Sequence, residues 1–229
     1  MKYGQFCPIA KATELLGEKW TLLIIRELLM GSSRFNELQR GLSMISPALL
    51  TRRLTSLEEN GLLYKKKIQG QRGYEYFATE PTEELLPILL KLGEWGMRWA
   101  KNNLTDEDYD VDFLMLYLRR SIKPEKLPGN GTVIKFKFLD IEDSPNWWLL
   151  VNGSEIDICI KDPGKDVDVY FTSTVETLSK VWLGHLTYRD VIRNEELLIV
   201  GPKALTRNIT SWLTCSPFVP ENNQKPFRK

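Results

Sequence analysis

The 229-residue chain reads as an α+β protein in two parts, and three observations predict this. Leu50, Leu54 and Leu57 recur at helical period between a capping signal, Ser46-Pro47, and a stop, Asn60-Gly61. Two runs rich in aromatic and lysine residues, 62–68 and 74–79, flank a Gly-rich tip and form a hairpin. Beyond residue 130 the apolar residues alternate strictly, which predicts an antiparallel sheet with one covered face.

Taken in order, the first helix covers Pro8 to Leu16, with Ile9, Ala12 and Leu16 as its apolar contacts and Gly17 as its end. The next, Lys19 to Met30, is apolar nearly all round and belongs in a core. Ser33 is placed to cap a short helix, Arg34–Gly41, whose Phe35 and Leu38 face inward together with Leu42. The helix after Ser46 buries its leucine stripe and turns Pro47, Ala48, Thr51, Arg52 and Thr55 outward, with Arg53 at the margin.

Short helix, polar-faced helix and basic hairpin make a winged helix-turn-helix, the first part of the fold. Arg can clamp guanine through two hydrogen bonds, and Thr or Ala can meet a thymine methyl. Such a face also occurs on helices that are merely solvated. The hairpin favours DNA, because Lys65, Lys66, Lys67 and Arg72 are concentrated on it, where cations reach phosphates. Its alternative is an edge strand blunted by lysines. Arg34 joins the DNA-binding candidates at the start of the short helix.

A long helix is expected from about Glu83 to Asn102, with Pro87 in its first turn. It carries two apolar stripes, one through Leu85, Leu89, Leu92, Gly96 and Trp99, the other through Leu86, Leu90, Gly93, Met97 and Ala100. One stripe covers its own domain, and a two-fold partner is the expected cover for the second; burial by the C-terminal part is the alternative. The acidic stretch 105–112 marks the junction, giving domains 1–105 and 106–219 and a flexible tail, 220–229.

In the second part Phe113–Leu118 is helical. Strands follow at Ile134/Phe136/Phe138, Trp147–Val151, Ile156/Ile158/Ile160, Val167/Val169/Phe171 and Leu197–Val200, with Asn152-Gly153 as a hairpin turn. Helices at Val175–Leu183, Thr187–Arg193 and Pro202–Leu213 supply the cover. Trp147, Trp148, Trp182 and Trp212 either line a ligand pocket or fill a core.

Composition bounds the function. Net charge is +1 overall but +4 over residues 1–105 and −3 over 106–229, so the basic excess lies with the winged helix. No run of 18 apolar residues predicts a membrane span and the N-terminus lacks a signal-peptide core, so a cytoplasmic location without membrane partners is expected. Cys7, Cys159 and Cys215 lack metal or disulfide spacing. His185 is the sole histidine and no GxSxG, HExxH or P-loop pattern occurs. No cofactor, metal site, catalytic residue or enzymatic activity is expected. Cys7 stands at a helix start, where a thiol pKa can fall; a redox sensor and a small apolar contact are its two readings.

The segments Cys7-Pro-Ile-Ala, Leu16-Gly-Glu-Lys-Trp-Thr-Leu-Leu-Ile-Ile-Arg-Glu-Leu28, Arg34-Phe-Asn-Glu-Leu38, Ser46-Pro…Leu50-Thr-Arg-Arg-Leu54 and Gly93-Glu-Trp-Gly96 fall in an order that resembles the HxlR family of bacterial winged-helix transcription regulators, over residues 4–102. The resemblance implies a homodimer on double-stranded DNA, paired through the terminal helices of the domain, and in some members an oxidant-sensing cysteine at the position of Cys7. Such regulators usually end soon after the long helix, whereas this chain continues for over 100 residues. Asp166-Val-Asp-Val-Tyr-Phe-Thr172, Trp182-Leu-Gly-His185 and Asn194–Pro202 resemble the sterol-carrier-protein-like domain, which implies a sheet-and-helix fold with an apolar cavity, in some relatives a lipid site; an apolar small-molecule effector is the candidate partner there. The peroxisomal Ser-Lys-Leu ending is absent. The expectation is a sequence-specific transcriptional regulator; the alternative is an apolar-ligand carrier whose winged helix serves only for chain pairing.

Overall fold

The computed structural model describes residues 2–70, 72–100, 104–128 and 131–219. The proposed tail, 220–229, lies outside them. The chain forms two compact units, 1–96 and 97–229.

Unit 1 begins with helices α1 (Pro8–Leu16), α2 (Thr21–Leu29), α3 (Phe35–Arg40) and α4 (Pro47–Glu59). The hairpin β1 (Leu63–Lys67) and β2 (Tyr74–Ala78) follows, then α5 (Glu80–Glu83) and α6 (Leu86–Trp99). Helix α1 has no buried residue; Leu16 packs on the core, but Ile9 is 76% exposed, contrary to its expected inward role. Ile24, Ile25 and Leu28 bury the centre of α2 against Leu38, Leu50, Leu54 and Leu57. The cap of α3 also differs from expectation. The Glu37 carboxylate reaches back to accept from the Ser33 and Arg34 amides (3.0 and 3.2 Å), and the Ser33 carbonyl instead accepts from the Tyr76 amide of the hairpin (2.8 Å).

The expected helix 83–102 is two pieces, α5 and α6, the second starting at Leu86 with Pro87 in its first turn. Thr82 explains the break: its hydroxyl is wholly buried and donates to the Leu62 carbonyl, which fixes α5 on the root of the hairpin. The remainder of the expected helix beyond Ala100 lies outside the described residues.

Unit 2 holds α7 (Val111–Ser121), strands β3 (Thr132–Phe138), β4 (Asn146–Asn152), β5 (Glu155–Cys159) and β6 (Val169–Ser173), then α8 (Val175–Trp182), α9 (Tyr188–Arg193), β7 (Leu198–Val200), α10 (Lys203–Thr206) and α11 (Ile209–Trp212). The sheet order is β5-β4-β3-β6-β7. The meander β3-β4-β5 is antiparallel, but β6 returns beside β3 in parallel, so the sheet is mixed and not wholly antiparallel. Asn152 pairs with Glu155, which moves the two-residue turn to Gly153-Ser154, with Gly153 at φ +58.

One sheet face, with Ile134, Phe136, Leu149 and Phe171, joins residues of α7, α8, α9 and α11 in a single core. Leu114 to Leu118 are all buried, so α7 is enclosed on every side. Asp168 is exposed ahead of β6, and its carboxylate accepts from the Val133 amide (2.8 Å) at the start of β3. The expected helix 202–213 is also broken, into α10 and α11. The Trp212 indole N–H donates to the Leu205 carbonyl (3.0 Å), taking the acceptor that Ile209 would use in a continuous helix.

Candidate nucleic-acid interface

Helix α4 is built as its sequence predicts. The Ser46 hydroxyl accepts from the Leu49 amide (3.3 Å), Pro47 occupies the first turn, and Leu50, Leu54 and Leu57 are buried. The opposite face, Pro47, Ala48, Thr51, Arg52 and Thr55, is exposed. Thr51 returns its hydroxyl to the Pro47 carbonyl (2.9 Å), which leaves its methyl group outward. Among the described residues Arg52 holds no ion pair, so its guanidinium is available to a partner.

Arg53 differs. Its side chain is only 15% exposed, pairs with Glu18 and donates from Nε to the Lys19 carbonyl (3.1 Å). This guanidinium ties α4 to the turn between α1 and α2, and its atoms are engaged within the protein.

The hairpin stands beside α4 and is fixed to it. Lys65 Nζ meets Glu58 of α4 at 2.6 Å, a hydrogen bond that holds the ammonium above its ordinary pKa range. Lys66 lies over the Tyr64 and Phe77 rings (5.4 and 5.2 Å), which stack on each other. Lys67 ends β1 and Arg72 is exposed near the tip. Arg34 approaches Glu75 across a bridge that adds a third backbone segment to the hairpin (Nε–Oε1 3.7 Å). The two candidate groups are therefore brought together on unit 1: outward α4 side chains and the hairpin cations.

Sequence reasoning passed over Glu27. It is wholly buried, accepts from Arg26 through Oε1 (Nη2 2.9 Å, Nε 3.1 Å), and packs its carboxylate against Gly41 at the end of α3. Apart from the adjacent Arg26 its neighbours in α2 are apolar, so the only signal was a charged pair inside an otherwise apolar helix. It fixes α3, and hence the turn into α4, on the core.

Cys7 is the N-cap residue of α1 and is half-buried. The four tryptophans are not gathered. Trp147, Trp182 and Trp212 lie in the core of unit 2, whereas Trp148 is on the other sheet face with the Lys135 ammonium 5.1 Å from its ring. Trp182 donates to Ser121 (2.8 Å) and Trp212 to Leu205, but among the described residues the buried Trp147 indole N–H has no acceptor.

A polar helix set beside a basic hairpin on a three-helix support is a winged helix-turn-helix. Comparison with known proteins carries the assignment further. Residues 15–104 match the model of the HxlR-like helix-turn-helix family. The HTH-type transcriptional regulator YvaP of Bacillus subtilis is 32% identical over 46% of this chain and 100% of its own length. YkvN of the same organism, also an HTH-type transcriptional regulator, is 33% identical over 46% of this chain and 90% of its own. Among solved structures, the reduced form of the B. subtilis transcriptional regulator YodB is 29% identical, covering 43% of this chain and 98% of that one, with a TM-score of 0.37. The chain belongs to the HxlR family of helix-turn-helix transcriptional regulators, a family of DNA-binding proteins and not of enzymes. No helix among the described residues is long and apolar enough to cross a membrane.

Proposed function

We propose that this protein is a sequence-specific regulator that acts in the cytoplasm, as a homodimer on double-stranded DNA. The observation that carries the reading is the unengaged outward face of α4 beside a hairpin with three consecutive lysines. Ala48, Thr51, Arg52 and Thr55 read base edges, and Ser46 and Pro47 seat the helix N-terminus against the backbone. Lys66, Lys67 and Arg72 meet phosphates, with Arg34 and Lys65 at the flank of the hairpin. Arg53 serves this site from behind, by holding α4 at its angle.

The dimer reading rests on α6. Ile88, Leu92, Trp95 and Trp99 recur at i, i+4, i+7 and i+11 and are all exposed, from 48 to 67%. Such a stripe is what a second copy covers, since isolated surfaces seldom leave this much contiguous apolar area in water. This stripe shares only Leu92 and Trp99 with the first of the two read from sequence.

For unit 2 the reading is a sterol-carrier-like effector domain. A sheet with helices over one face fits that form, and the Trp147 N–H suits an apolar ligand bearing one hydrogen-bond acceptor. Bound there, such a ligand would favour one half-site spacing over another.

The test is affinity for a duplex from the protein's own upstream intergenic region, in a salt series with a scrambled competitor. Selective binding that weakens steeply with salt is the expected result. Binding that is absent, or insensitive to salt, favours a pairing module and rejects the DNA reading.

A further inference from the structure

A cleft of about 720 Å³ runs along the flank of α4 and shares Arg52 with the DNA reading. Its walls come from the N-terminal segment, the end of α1, the α1–α2 turn and α4 itself. Two of its acidic groups are already bound. Glu14 accepts from Lys11 and from the Tyr3 amide (2.8 Å), and the Tyr3 hydrogen bond is the main reason its carboxyl sits below the ordinary range. Glu18 is paired with Arg53.

Two cations on the same walls are left over. Lys19, exposed at the α1–α2 turn, has its ammonium 5.4 Å from the Trp20 ring, and Arg52 faces in from α4. Among the described residues neither is paired with a carboxylate. The half-buried Ser56, one helical turn from Arg52, adds a hydroxyl donor. Like charges lining one concave surface repel each other, and an anion between them removes that repulsion and gains charge-assisted hydrogen bonds.

We propose that this cleft binds a small oxyanion, a carboxylate or a phosphate, between Lys19, Arg52 and Ser56, and that the ligand competes with DNA for Arg52. The competition rests on the DNA reading above; the binding does not. By linkage, whatever the ligand does to DNA affinity, DNA does to ligand affinity.

The experiment is calorimetric titration of the full chain, without DNA, with sodium benzoate and with inorganic phosphate at constant ionic strength, on wild type and Lys19→Gln. The expected result is saturable uptake of one of the two probes, one per chain, weakened about tenfold or more in Lys19→Gln. That probe should then raise the Kd for the intergenic duplex in wild type and not in the variant. If neither probe binds, or both bind the variant equally well, the site is refuted. Binding without any effect on a measurable DNA affinity refutes the competition. Absence of DNA binding with probe uptake intact overturns the DNA reading and keeps the site. A Lys19→Gln variant that takes up no less probe but loses about one unit of salt slope makes Lys19 a phosphate contact of DNA and overturns the inference.

Discussion

Replacing Gly41 by alanine tests the buried carboxylate that packs against the end of α3, ahead of α4. A Cβ at this position would lie 2.2 Å from Glu27 Oε2 and 2.4 Å from its Cδ, where ordinary contact begins at 3.4 Å. The carboxylate must therefore retreat by roughly 1 Å. It has little room to do so, being wholly buried and held by two nitrogens of Arg26, while Arg26 also donates to the Gly41 carbonyl (3.2 Å). Overpacking alone costs about 1–3 kcal/mol. Loosening the buried ion pair adds to this, up to the ~3–5 kcal/mol of a fully broken one. The backbone of Gly41 is ordinary (φ −71), so alanine also recovers up to about 1 kcal/mol of chain entropy. The expected net loss is about 3 kcal/mol, read as faster hydrogen exchange of the α2 and α3 amides and as weaker DNA binding. Glu27→Ala removes the obstruction, so the double variant should be less destabilised than the sum of the singles by about 1 kcal/mol or more. A Gly41→Ala protein within about 1 kcal/mol of wild type, or strict additivity, refutes the reasoning.

Four further outcomes are expected. Arg52→Ala should cost roughly 1–3 kcal/mol of specific DNA affinity and relax the preference at one base position, as measured by binding to a set of singly substituted duplexes; an unchanged profile removes Arg52 as a base reader. Trp95→Asp should raise the dimer dissociation constant about thirtyfold or more in sedimentation experiments, because it puts charge in the centre of the α6 stripe; no shift would move the interface elsewhere. Lys65 has a raised pKa, so its tether to Glu58 is present below pH about 10.5 and lost as pH rises through the folded value. Exchange of β1 amides, corrected for intrinsic rate, should thus be flat from about pH 7 to 9 and rise only in stronger alkali, a step that Lys65→Gln abolishes. Finally, if Cys7 senses oxidants, Cys7→Ser should retain DNA in the presence of diamide while wild type releases it; equal release by both excludes that role.

Local sequence determined the parts that rest on local physics. Ser46, Pro47 and the Leu50/54/57 stripe specify α4 without help from the remainder of the chain, and so does the lysine run of β1 with its Gly-rich turn. The outward residues of α4 follow from the same period, which is why that face was legible before any coordinates. Tertiary structure decided what depends on partners distant in sequence. Arg53 and Arg52 are adjacent and chemically identical, yet Glu18 engages one and leaves the other open, a distinction no helical period contains. Glu27 looks misplaced in an apolar helix until Gly41, fourteen residues on, provides the space its carboxylate fills. The parallel pairing of β3 with β6 and the breaks at Thr82 and Leu205 arise the same way, from hydrogen-bond acceptors and strand edges contributed by remote segments. Periodicity fixes which side of an element is apolar. Only the packed chain fixes which polar group each neighbour consumes and which it leaves for DNA.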